Sequence, residues 1–269
     1  MLKEIASPYG LATTYPNMLT QISGLLWLII VLVPLILLQR LLHREIQAVF
    51  LILTRDIKVT MGLFSIIFLP GVFLHELSHY VVAKILRVPT GHFSLLPQPL
   101  PDGRLQLGAV ETAKSDLVRD SLIGAAPLII GTLFVAYVAI YRLEMRVLWD
   151  VFLNGQLNLF WMGMRALPSM QDFYLWFYLA FAVSSTMMPS QSDRHAWQQL
   201  VISVGVLFLI ALLIGAGPWL LNNLAPRLSN FLSSVAVIFG LSAFVHILLV
   251  LPTALIHRLL ARATGVDVQ

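Results

Sequence analysis

The chain is 269 residues long, with 58% hydrophobic and 11% charged residues, against about 45–50% and about 25% in an ordinary soluble domain. Seventeen Lys and Arg plus thirteen Asp and Glu cannot supply the polar skin that a soluble protein of this size needs, so lipid is the expected solvent for most of the surface. The net charge of +4 suits anionic head groups and is too small to point to nucleic acid, and the absence of cysteine excludes disulfides, thiol nucleophiles and thiolate ligands, leaving His, Asp and Glu to hold any metal.

In chain order, six apolar stretches approach the ~20 residues that a helix needs to cross the hydrocarbon layer. They cover residues 22–38, 59–83, 121–141, 173–192, 200–221 and 231–251. The first reads as a retained anchor, because its apolar run is too long for a cleavable signal and no small-x-small site follows it. Residues 41–54 read as an interfacial helix or as an extension of that first span. The long polar connection 89–119 carries Pro97, Pro99 and Pro101, an Asp102-Gly103 turn, and alternating Arg104-Leu105-Gln106-Leu107. A short β-hairpin at the membrane surface is expected there. Residues 151–164, uncharged but short and with Trp161, read as interfacial or re-entrant.

No internal repeat or added soluble domain interrupts this pattern. The expected fold is an all-α polytopic membrane protein, a single domain over 1–269 with about six transmembrane helices, in an integral, multi-pass position in a membrane of the bacterial inner or cell type. An even number of spans puts both termini on one side. That side collects nine Lys and Arg against eight on the other, which leaves the orientation open under the positive-inside rule.

Ionisable side chains inside a bilayer cost at least about 2.5–3.5 kcal/mol each. The second span nevertheless places three within five residues, His75-Glu76-Leu77-Ser78-His79. On a helix, positions four apart share a face, so both imidazoles can meet one ion while Glu76, turned by about 100°, reaches a water that the ion polarises. This is the arrangement of zinc hydrolases, in which Glu76 takes the proton of the attacking water and returns it to the leaving amine. A catalytic zinc, one per chain, wants a third protein ligand. Asp193, four residues after Pro189 at the end of the fourth span, is one candidate, with a capping or loop role as its plainer reading. His195 is another. His246 lies inside the sixth span, where a neutral imidazole hydrogen-bonded between helices is the simpler account. For Glu111, Asp116 and Asp120, capping and helix-dipole roles suffice.

These residues resemble the site-2 protease family of intramembrane zinc metalloproteases. The resemblance rests on His75-Glu76-Leu77-Ser78-His79, on Gly124-Ala125-Ala126-Pro127-Leu128 in the next span, and on Pro189 followed by Asp193 in the one after. It implies a three-helix catalytic core over about 59–193, with 22–38 and 200–251 as additions. It implies His75, His79 and Asp193 as zinc ligands, Glu76 as general base, and a transmembrane protein as substrate. It also implies a surface strand, here Arg104 to Val110 with Leu105, Gln106, Leu107 and Gly108, that pairs with the unwound substrate by β-augmentation, and a substrate contact near Pro127. The chain departs from the family pattern where Thr186 and Ile130 stand in the places of Asn, Arg194 in that of Gly, and Ala126 before Pro127. Polar contacts to the substrate backbone are the function those changes touch.

Two other readings fit the same motif. A prenyl-protein-type multi-spanning zinc protease would take a Glu, such as Glu111, as third ligand. A non-catalytic zinc-binding membrane scaffold would keep the metal and hydrolyse nothing.

Overall fold

A computed structural model describes residues 18–99 and 105–266. Two helices open the chain, α1 (Met18–Thr54) and α2 (Ile57–Ile85). They form an antiparallel hairpin across a two-residue break at which Arg55 takes a positive φ of 53°. Asp56 caps α2 by accepting from the N–H of Lys58 at 2.7 Å and of Val59 at 3.2 Å, which satisfies two of the helix's orphan donors. Of the two expectations for residues 41–54, the extension of the first span is the one observed. Leu42, Ala48 and Ile52 are buried on one side of α1, and that burial keeps the helix intact through Arg44 and Glu45.

The long last helix, α9 (Ala225–Thr264), lies along α1, and the two run parallel. At one end the N–H of Gly24 donates to Ser229 Oγ at 3.0 Å. At the other, His257 Nδ1 meets Glu45 Oε2 at 2.6 Å. Between them Leu35 packs with Phe239 and Ala243. A Cβ at position 24 would lie 2.0 Å from the carbonyl oxygen of Ser229. Glycine is therefore what lets the two backbones touch, in the manner of small-residue helix crossings in membranes.

Helices α3 (Leu117–Tyr137) and α6 (Phe173–Thr186) complete the bundle around α2. Asp116 caps α3 through the N–H groups of Val118 and Arg119, each at 3.1 Å. The bond from Arg119 holds this exposed carboxyl below its ordinary range. Helix α3 runs antiparallel to α2, with Ile123 against Ala83 and Val88. Helix α6 runs parallel to α2 at a constant offset. The Tyr178 hydroxyl donates to the Ile67 carbonyl at 2.9 Å and His75 meets Thr186, both pairs 111 residues apart. Between these contacts Gly71 lies so close to α6 that a Cβ there would be 2.2 Å from the Ala182 carbonyl oxygen.

The polar connection forms an antiparallel β-hairpin, as expected. Strand β1 (Thr90–Ser94) pairs with β4 (Ala109–Thr112), and β2 (Gln98–Pro99) with β3 (Leu105–Gln106). Its expected Asp102-Gly103 turn and Arg104 lie outside the described residues. After α3 and a π-helical turn at Val138–Arg142, two short amphipathic helices, α4 (Met145–Leu153) and α5 (Leu157–Ala166), follow. They expose Trp149, Phe152, Trp161 and Met162. Helix α7 (Trp197–Leu213) leads through a short α8 (Gly217–Trp219) back to the start of α9.

Four helical stretches, 23–54, 57–85, 117–142 and 217–264, are long and apolar enough to cross a membrane. The fourth and fifth stretches of the sequence are shorter as helices, 14 residues in α6 and 17 in α7. At 1.5 Å per residue that is about 21 Å and about 26 Å, below the ~30 Å of a hydrocarbon core. Pro189 stands in the break, where its missing N–H and the restriction on the preceding residue prevent α6 from continuing. The parallel packing of α1 and α9 puts Met18 and Thr264 at opposite ends of that pair. An even number of crossings would have put them at the same end.

Candidate metal centre

Helical spacing brings His75 and His79 onto one face of α2, with their Nε2 atoms 3.2 Å apart. Asp193, from the segment between α6 and α7, reaches the same point. Its Oδ1 lies 3.3 Å from His79 Nε2 and its Oδ2 3.7 Å from His75 Nε2. Among the described residues these three form a group whose ligand atoms all lie within 4.8 Å of one another.

The other ring nitrogens decide what those atoms offer. His75 Nδ1 lies 2.7 Å from the Thr186 carbonyl and His79 Nδ1 2.8 Å from the Ile123 carbonyl. A carbonyl only accepts, so each neutral ring carries its proton on Nδ1 and keeps the Nε2 lone pair for the centre. Two imidazole lone pairs and a carboxylate then converge, a repulsive cluster unless a cation stands among them. Ligands about 2.0–2.2 Å from a tetrahedral ion stand roughly 3.3–3.6 Å apart, and the observed separations of 3.2, 3.3 and 3.7 Å bracket that range. The donor set thus fits a divalent ion that accepts nitrogen and oxygen.

The segment that delivers Asp193 is held from two sides. The N–H of Ser190 donates to Asp193 Oδ2 at 2.6 Å, and the N–H of Asp193 donates to Ser190 Oγ at 3.3 Å. Across from it, Gly124 of α3 leaves room for the chain. A Cβ there would stand 2.0 Å from the Asp193 carbonyl oxygen. Glu76 is buried beside the cluster at 7% exposure, and Gly108 of the hairpin covers it, since a Cβ at 108 would be 2.8 Å from Glu76 Cγ.

A cavity of about 940 Å³ opens on the cluster, lined by all four of these polar residues, by Leu107 to Val110, by residues 185, 186 and 188–195 and, on α1, by Arg40 and His43. Of the residues expected to meet a substrate, Leu107 and Gly108 line this cavity. Leu105 and Gln106 lie in β3. Pro127 is buried in α3, away from the cavity. His195 bonds the Ser192 carbonyl at 3.0 Å and comes within 3.9 Å of Asp120. His246 is fully buried, bonded to Ser185 Oγ at 2.9 Å and to the Ser242 carbonyl at 2.7 Å, which is the interhelical role the sequence favoured. Glu111 accepts from the His92 N–H at 3.3 Å within the hairpin, apart from the cluster of His75, His79 and Asp193.

The sequence reading passed over the carbonyls of Thr186 and Ile123, which orient both imidazoles. Backbone atoms leave no residue-type signal. It also passed over Arg40 and His43 as members of the site, because contact between α1 and the cavity is a product of packing. Comparison of the chain with family models, with curated proteins and with solved structures gives no match to any of them.

Proposed function

We propose that the chain is an intramembrane zinc metalloprotease of the site-2 type, hydrolysing a peptide bond within or next to the transmembrane segment of a membrane-protein substrate. The observation that carries this reading is the convergence of His75, His79 and Asp193 with both Nδ1 protons committed elsewhere, next to a buried carboxylate at Glu76. His75, His79 and Asp193 would hold the ion. Zinc bound there supplies Lewis acidity toward a water and a substrate carbonyl.

Glu76 accepts a proton from the attacking water and delivers it to the leaving nitrogen, so that the C–N bond breaks and the products are a carboxylate and an amine. Ser190 and the two backbone carbonyls keep the ligand atoms in place through the reaction. Among the described residues the β1–β4 ladder is two-stranded, which leaves an edge of β4 next to the cavity on which an unwound substrate adds as a strand.

The same reading gives the membrane an odd number of crossings, most simply five. Helices α1, α2, α3 and α9 each cross, and α6 with α7 makes one interrupted crossing whose break carries Asp193. Irregular backbone at membrane depth is tolerated where it lines a cavity, and this segment lines one.

The test is Glu76→Gln. Cleavage of a co-expressed single-span substrate should fall by about 10²–10⁴ while zinc stays bound. Undiminished cleavage in that variant would sink the mechanism.

A further inference from the structure

Arg40 is an exposed residue within the 37-residue helix α1, between Gln39 and Leu41. Its height relative to the metal centre is fixed by its neighbour. Gln39 Nε2 donates to the Ser184 carbonyl at 2.6 Å, and two residues along α6 the Thr186 carbonyl meets His75 at 2.7 Å. Arg40 is therefore level with the His75 ligand, and it lines the same cavity.

The other basic side chains on the 185–195 side of that cavity are engaged. Arg194 Nε donates to the Ser190 carbonyl at 3.1 Å, and His195 bonds the Ser192 carbonyl. Arg40 makes no ion pair or hydrogen bond with the described residues. One turn on, His43 lines the cavity too, and its Nε2 is buried without a hydrogen-bond partner among them. A charged side chain at that depth is costly unless something meets it, and the exposed guanidinium of Arg40 has no partner among the described residues in the cavity that holds Glu76, while the His43 ring beside it stands edge-on against Phe64 and Phe68.

We infer that Arg40 is an anion-binding residue of this site, receiving a carboxylate of the bound polypeptide on the α1 wall of the cavity. The inference rests on the protease reading for the identity of the ligand. A guanidinium presents paired N–H donors that match a carboxylate, and hydrolysis creates one at each cut. An acidic side chain near the scissile bond offers the same group.

The experiment measures binding, which separates it from turnover. Full-length, zinc-loaded Glu76→Gln protein in phosphatidylcholine vesicles is titrated with fluorescent single-span peptides. One pair ends in an α-carboxylate or an α-carboxamide, and the other carries an internal Asp or Asn. The carboxylate member of at least one pair should bind on the order of 10-fold tighter than its neutral partner. Arg40→Gln should erase that preference, Arg40→Lys should retain part of it, and zinc content should be unchanged in both.

Discrimination in the first pair identifies the newly cut end as the ligand, and in the second an acidic side chain. Equal binding within both pairs, or a preference that survives Arg40→Gln, overturns the inference. If that occurs while wild-type protein cleaves a substrate that Glu76→Gln does not, the protease reading stands. A wild type that cleaves nothing removes that reading, and this inference with it.

Discussion

The cluster draws on two segments built in opposite ways. Helix α2 is continuous over 29 residues and carries two ligand atoms and the carboxylate at Glu76, at positions that helical geometry alone brings together. The third donor comes from residues 187–196, where the chain leaves α6, passes Pro189 and re-forms as α7. On α2 a ligand's place follows from its sequence spacing. In the break it follows from a set of specific contacts, Ser190 to Asp193 and Gly124 against the Asp193 carbonyl. Precision is supplied by the helix in one case and by neighbours in the other, so the two halves should fail differently under mutation.

The largest effect expected from this contrast is topological. If α6 and α7 form one broken crossing, Gly265 stands on the side opposite Met18. The chain has no cysteine, so single substitutions Asn154→Cys, Asn222→Cys and Gly265→Cys can be labelled from either face of sealed vesicles. Positions 154 and 265 should react from one side and 222 from the other. Residue 222 reacting together with 154, and 265 from the other side, would mean that α6 and α7 cross separately.

Next in size is Gly124→Ala. Alanine favours a helix over glycine by about 1 kcal/mol, yet here the added Cβ would stand 2.0 Å from the Asp193 carbonyl oxygen. Zinc affinity should drop by 10-fold or more while α3 stays folded. Gly62→Ala, on α2 with nothing within 4 Å of the new Cβ, is its control and should leave zinc affinity unchanged. Equal zinc affinity in the two variants would show that the 187–196 segment does not depend on its neighbours.

Gly108→Ala probes the other side of the site. Its Cβ would press on Glu76 at 2.8 Å and on Val72 at 3.0 Å. Cleavage should fall on the order of 10-fold with zinc content intact, since a general base works only within hydrogen-bond reach of its proton. Ser185→Ala should do least. It leaves His246 Nε2 without its 2.9 Å partner, at a cost of about 0.6–1 kcal/mol in thermal stability and none in zinc binding. Loss of zinc in that variant would tie His246 to the centre.

The same contrast explains what was legible in the sequence. The apolar stretches located the four long helices, and the five-residue run from His75 to His79 contained its own geometry. The alternation around Leu105 marked the hairpin, although Leu107-Gly108 interrupts the strand. The length of α6 and α7 was not legible. Residues 187–196 are as uncharged up to Ser192 as the helix before them, and the break arises at Pro189. The parallel pairing of α1 with α9 was equally hidden, since it depends on a close approach at Gly24 that residue spacing does not encode. Arg40 and His43 were visible as polar residues in a helix, and only packing places them at the cavity.

The central claim is that α2 and the 187–196 segment together make one metal site. The direct measurement is zinc stoichiometry on purified full-length protein, comparing the wild type with Asp193→Ala and His246→Ala. The account predicts one zinc per chain in the wild type and in His246→Ala, and little or none in Asp193→Ala. A full complement of zinc in Asp193→Ala would contradict it.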